Sequence, residues 1–220
     1  MSSLRERQKN NRRRSILQAA RDHFSSKGFD ATTIEMIAEL AGVSGVTIYN
    51  YYGTKTGLLL ALVAESDTLL TERIDAILSN PPDDIVEAFA LFAGTIRDHA
   101  LSFLTKPVWR QVIAASIIEG NSHFGRSYAR LDRELARKLS QILGTLQRRG
   151  RLDTGVDVDI LGESLFHLQN ARFIQFISID DLRNETVDRY LREDIAAILS
   201  ASRVQTEAQP LVHAIRDRPE

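Results

Sequence analysis

The segment from Thr32 to Lys55, TTIEMIAELAGVSGVTIYNYYGTK, carries the residues whose types and spacing are most informative. Their chemistry is hydrogen bonding. Asn50 can pair bidentately with adenine, and Thr47 can touch a thymine methyl group or a phosphate. Tyr49 is placed to donate its hydroxyl to a phosphate. Thr33 and Lys55 flank the segment with a hydroxyl and an ammonium suited to the same contact. With Thr32, Ser44, Gly45, Val46 and Tyr51 these are the candidate DNA-contacting residues. Tyr51 stays open between base and backbone contact, and Tyr52 reads as a packing residue.

Such groups need elements that present them, and the spacing fits a helix-turn-helix. Ala38 is small where a following helix would cross closely. Gly42 falls four residues on, where the turn requires positive φ, and Val43 and Ile48 fill the gap between the two helices. Thr32 or Thr33 caps the first helix of the pair and Ser44 the second. The outward face of the second helix, Gly45, Thr47, Tyr49 and Asn50, carries no charge and suits the floor of a major groove. Ahead of the motif, Arg5, Arg7, Lys9, Arg12, Arg13 and Arg14 form a basic arm. It reads either as a solvated end or as an arm lying along phosphates or dipping into the minor groove. Arg12 and Arg13 are its candidate contacts.

Charge is divided to match. The 220 residues carry a net charge of −1, which by itself argues against a nucleic-acid partner. Yet residues 1–57 hold 9 Lys/Arg against 5 Asp/Glu, and residues 58–220 hold 19 against 24. A head of +4 is therefore joined to a body of −5, the asymmetry expected of a basic functional module on an acidic one. The absence of Cys excludes disulfides, thiolate metal sites and Cys nucleophiles. The five His show no close-spaced ligand pair, so neither a metal site nor a cofactor is expected. No apolar run reads as a signal peptide or a membrane span, which makes the cytoplasm the default location.

Apolar residues recur at three and four residues almost throughout, so the chain is expected to be all-α, with about nine helices. The first covers Asn11 to Lys27 with Ile16, Ala20 and Phe24 on one face and Gly28 closing it. The second and third are the helix-turn-helix pair. A long fourth runs from Thr54 to Ser79, ahead of Pro81-Pro82. The fifth carries Ile85, Phe89, Phe92, Ile96, His99 and Phe103. The sixth starts near Pro107, the seventh spans Ser122 to Arg149, the eighth Asp157 to Ile177 and the ninth Asn184 to Ser200. The organisation is then a basic arm with a helix-turn-helix domain over 1–57, a helical effector-binding and dimerisation domain over 58–203, and a flexible tail over 204–220.

The stretch from Arg14 to Val63 resembles the DNA-binding domain of tetracycline-repressor-type (TetR family) regulators. The resemblance rests on Ala19-Ala20 to Phe24, Gly28-Phe29, Thr32-Thr33, Ile37-Ala38, Ala41-Gly42-Val43-Ser44, Tyr49, Tyr52, Lys55 and Leu58. Gly57 departs from it, standing where a helix former is usual, and is expected to weaken the first turn of the fourth helix.

The resemblance implies an all-helical regulatory body, an Ω-shaped homodimer and an effector pocket. The eighth helix is apolar on more than one face, so both must be covered. Leu161, Leu165 and Leu168, with Leu191, Ile195 and Ile198 of the ninth helix, are the candidate dimer interface, unless both faces are satisfied within one chain. Phe92, His99, Phe103, Trp109, His123, His167 and Asn170 are the candidate effector contacts, set against the alternative that each is a satisfied core residue. The expected function is a ligand-responsive transcriptional repressor, released from a near-palindromic double-stranded DNA operator by a small, largely apolar effector. Two other readings stand beside it: a helical sensor acting through protein partners, and an all-helical enzyme, for which no phosphate loop, nucleophile elbow or metal motif is present.

Overall fold

The computed structural model describes residues 4–65 and 68–205, with the side chains of residues 65, 68 and 201–205 outside that description. Ten helical segments make up the described chain: α1 (Leu4–Lys27), α2 (Ile34–Ala41), α3 (Gly45–Tyr52), α4 (Lys55–Glu65), α5 (Thr68–Ser79), α6 (Ile85–Phe103), α7 (Lys106–Ile118), α8 (His123–Arg148), α9 (Val158–Ser178) and α10 (Asn184–Gln205). The expected long fourth helix corresponds to α4 and α5, and residues 66–67 between them lie outside the described residues. Most of the expected tail lies outside them as well. The basic arm is not separate from the first helix, because α1 begins at Leu4. Among the described residues no helix is long and apolar enough to cross a membrane.

Local sequence explains how the head folds. Ile16, Ala20 and Phe24 of α1 are fully buried and meet Ile34, Ile37 and Ile48 of the next two helices in one core. Thr33 caps α2 by accepting the Met36 N–H, and Ser44 caps α3 by accepting the Thr47 N–H. Between them Gly42 takes φ +67°, with its N–H on Glu39 O and the Val43 N–H on Ala38 O. This pairing of late carbonyls around a left-handed residue reverses the chain within two residues.

In the body, α8 and α9 form the closest helix pair. Gly162 lets their backbones approach, since a Cβ there would come to 2.3 Å from Ser140 Oγ and 2.8 Å from Ser140 Cα. Helix α10 is fastened by charge. Arg172 of α9 grips Asp194 with two hydrogen bonds of 2.6 and 2.7 Å, and the buried Arg97 of α6 holds Asp188 at 2.5 Å. Bidentate guanidinium–carboxylate pairs fix orientation as well as distance.

Three glycine substitutions read this packing out in denaturant titrations. Gly42→Ala should lose about 1–2 kcal/mol from its left-handed backbone, and Gly162→Ala about 1–3 kcal/mol from overpacking against Ser140. Gly144→Ala lies within helix α8 with no foreign atom nearer than 3.6 Å to its Cβ, so it should gain about 0.5–1 kcal/mol.

Candidate nucleic-acid interface and body cavity

Helix α3 is eight residues long and held at both ends, by the Ser44 cap and by Gly53 at φ +73°, whose N–H reaches Tyr49 O. Ile48 and Tyr52 face inward and are buried. Val46, Tyr49 and Asn50 face solvent, with Tyr49 49% exposed. Thr47 is half-buried, with its hydroxyl 2.9 Å from that of Ser44. Arg12 and Arg14 are exposed on α1, and Arg13 is half-buried beside them. The outward set is therefore uncharged, the apolar Val46 with the hydrogen-bonding Tyr49 and Asn50.

Three of the expected contact residues serve the fold instead. Thr32 is fully buried, and its hydroxyl donates to His23 O and Gly28 O at 3.2 and 2.7 Å, so its side chain is withdrawn from any DNA surface. Lys55 is turned inward. Its ammonium donates to Phe29 O and Thr32 O, both at 2.9 Å, and sits 4.3 Å from the centre of the Phe29 ring. Two of its three N–H groups tie the start of α4 to the α1–α2 turn, which displaces the expected phosphate contact. Gly45 does not face outward either: a Cβ there would point at Ile34 and Glu35 of α2.

Two of the contacts between head and body involve aromatic rings, beside the hydrogen bond from the Thr54 hydroxyl to Glu119 Oε1 at 3.3 Å. The Tyr52 ring packs on Phe124 of α8, with centroids 5.6 Å apart. Gly57 lies under that joint, where a Cβ would come within 2.3 Å of Tyr52 O and 3.5 Å of the Phe124 ring. Glycine at 57 is thus demanded by close approach, and Thr54 compensates for its low helix propensity by accepting the Gly57 N–H at 2.8 Å. The expected weak first turn is capped. The second joint is Arg21 of α1, which donates to Phe103 O and Ser102 O and lies 4.5 Å from the centre of the Phe103 ring.

Phe103 also lines a cavity between α6, α8 and α9. Its free space is about 60 Å³, small beside the ~300–1,000 Å³ of a typical ligand pocket. His99, Phe103, Trp109 and Asn170, all expected, line it, together with Tyr128, Asp132, Phe166, Gln169 and Phe173, which were not among the candidates. His99 is only 8% exposed, and among the described residues neither ring nitrogen has a hydrogen-bond partner. Burial, then Arg73 and Arg21, push its pKa below the usual imidazole value, so the ring is neutral near pH 7. Burial raises the Asp132 carboxyl to about 6, and His167 and Arg133 oppose that rise. Burial likewise raises the Tyr128 phenol. The signal for Asp132 was present in the sequence: it stands four residues after Tyr128 and three before Leu135, on the apolar stripe of α8.

Three expected effector contacts fall elsewhere. Phe92 is fully buried in the core away from the cavity. His123 is exposed and meets Phe124 edge-on at 5.0 Å. His167 faces solvent 3.8 Å from Glu163. The expected dimer contacts also divide. Leu165, Leu191 and Ile195 are buried inside the protomer, and Leu161 and Leu168 pack half-buried against its core. Leu161 and Leu168 keep part of their surface exposed. Ile198 is exposed, and so are Ile160 and Ile174 on the outer side of α9.

Residues 16–62 match the family described as bacterial regulatory proteins, tetR family. The chain is 43% identical over 54 residues to the HTH-type transcriptional regulator RutR of Escherichia coli, a match covering 24% of this chain and 26% of the relative. The matched segment thus spans about a quarter of that relative's length. The HTH-type transcriptional repressor Rv1474c of Mycobacterium tuberculosis is 26% identical over 155 residues, covering 68% of this chain and 74% of its own. Among solved structures, the Thermus thermophilus FadR, a TetR family transcriptional repressor in complex with lauroyl-CoA, superposes with a TM-score of 0.63 at 21% identity, covering 94% of this chain and 98% of that one. Residues 16–62 therefore belong with the tetR family of bacterial regulatory proteins, and the all-helical fold around them is the fold of that repressor.

Proposed function

We propose that the protein is a cytoplasmic, ligand-responsive transcriptional repressor that binds a near-palindromic DNA operator as a homodimer and is released by a small, largely apolar effector. The observation that carries this reading is helix α3: capped at both ends, with an uncharged face of the apolar Val46 and the hydrogen-bonding Tyr49 and Asn50 turned to solvent. Such a face can approach base edges, while Arg12, Arg13 and Arg14 supply phosphate contact. The repressor with lauroyl-CoA that shares this fold supports a ligand site in the body, and the cavity at Phe103 is the site this chain offers for one. An effector there needs more room than the cavity offers, and Phe103 is both one of its walls and the ring over which the Arg21 guanidinium lies. Filling the cavity therefore loads the joint between body and α1. Only a difference in affinity between the DNA-competent and incompetent states drives release.

A dimer would bring two α3 helices to successive major grooves, about one helical turn apart. Its face is assigned to the exposed Ile160 and Ile174 of α9 with Ile198 of α10, in place of the leucines buried within the protomer.

Selection of bound duplexes from random DNA should return a near-palindromic consensus. Against that site Asn50→Ala should lose about 1–3 kcal/mol at one base pair and relax preference there, while Tyr49→Phe weakens binding to all sequences evenly. An unchanged sequence profile for Asn50→Ala removes the base-reading assignment, and a selection without any consensus removes the operator. Sedimentation tests the dimer face. The native chain should run at twice 24.7 kDa, and Ile160→Asp with Ile174→Asp should give monomer. A native protein that sediments at 24.7 kDa overturns the dimer.

A further inference from the structure

We propose that the body cavity is built to hold an organic cation, a small aromatic or alkyl ammonium whose charge lies between the Asp132 carboxylate and the aromatic walls. This deepens the effector reading above and rests on it for any regulatory consequence.

The walls supply the first argument. Phe103, Trp109, Tyr128, Phe166 and Phe173 all line the cavity. Trp109 donates its ring N–H to Ala100 O at 2.7 Å and stands edge-on to Phe173. Its indole therefore offers the cavity a π surface with its own polar group already engaged. Ring faces carry the negative part of the aromatic quadrupole and attract cations, most strongly where water is excluded.

The second argument is charge. Among the described residues that line the cavity Asp132 is the one acid, and none of them is Lys or Arg. Burial works against its ionised form, so the carboxylate is poorly solvated where it stands. A neutral guest would leave it so, and an anion would add repulsion. A cation compensates it. The charged groups around the cavity are compatible with this. Arg133 and His167 act on Asp132 from its outer side, with His167 exposed to solvent. Arg21 and Arg73 act on His99 without lining the cavity.

His99 supplies the third argument. It is an unpartnered polar side chain more than nine-tenths buried, stacked on Phe103 at 6.3 Å between centroids. Kept neutral by its surroundings, it adds no opposing charge and offers a ring nitrogen as acceptor to an ammonium N–H. A core histidine with no role toward a ligand would be expected to have found a partner in the fold.

Trp109 is the sole Trp of the chain, so its emission reports on the cavity directly. The native protein would be titrated with phenyltrimethylammonium, with its uncharged isostere tert-butylbenzene, and with the anion benzenesulfonate. The cation should quench or shift Trp109 emission and bind about ten-fold more tightly than the isostere, with benzenesulfonate weakest. Asp132→Asn should abolish the preference for the cation over the isostere while leaving the isostere's affinity within about two-fold. Equal binding of cation and isostere by the native protein overturns the proposal without recourse to any variant, and so does a cation preference that survives in Asp132→Asn. Operator release is scored separately on the selected duplex. A cation that fills the cavity without releasing DNA establishes the binding site and overturns the effector reading.

Discussion

Everything the head can do depends on the first turn of α4. That turn carries Lys55, which reaches back to two carbonyls of the α1–α2 turn, and Gly57, which slides beneath the Tyr52 carbonyl and the Phe124 ring. Thr54 supplies the cap that a helix opening with glycine lacks. Three consecutive demands are met within four residues: tie the reading helix to its neighbours, let the body approach, and start a helix. A side chain at 57 would run into the Tyr52 carbonyl at 2.3 Å while meeting the Phe124 ring at ordinary contact distance, so close approach within the head outweighs helix propensity.

The body repeats the same solution on a larger scale. Its close crossing of α8 and α9 at Gly162 and Ser140 brings two long helices together along one edge of the cavity. Opposite, α6 ends at Phe103, whose ring is shared: it stacks with His99 and meets Arg21 of the head. The cavity wall and the joint with α1 are thus the same residue. The salt bridges of α10 to α6 and α9 hold the outer side of this assembly, and Arg21 with its two hydrogen bonds to carbonyls ties α1 to the end of α6.

Much of the head was legible in sequence because its determinants are local. The caps at Thr33 and Ser44, the left-handed turn at Gly42 and the inward Tyr52 each follow from residues within a few positions. Thr32 and Lys55 were misplaced because a hydroxyl or an ammonium serves a carbonyl as readily as a phosphate, and only the folded chain shows which lies within reach. Helix α9 misled for another reason. Its periodicity marks two apolar faces but carries no sign of which one its own chain covers, so Leu165 was taken for the outside and Ile174 was passed over. Asp132 was hidden by its type, since an acid on an amphipathic helix reads as solvated even when it interrupts the apolar stripe. The cavity members of α9, Phe166, Gln169 and Phe173, depend on the crossing of three helices, which no single stretch of sequence contains.

The continuity of α1 from Leu4 to Lys27 turns the basic arm into a lever. Arg5 and Arg21 ride on one rigid rod about 24 Å apart at 1.5 Å of rise per residue, with Arg21 resting on the body as its fulcrum. A tilt of about 5° at that fulcrum would sweep the far guanidinium groups through roughly 2 Å, a distance comparable to the reach of a hydrogen bond. A floppy tether of the same charge would absorb such a tilt; a rod transmits and enlarges it. Movements too small to disturb the core of the body therefore reach the basic end of α1 enlarged.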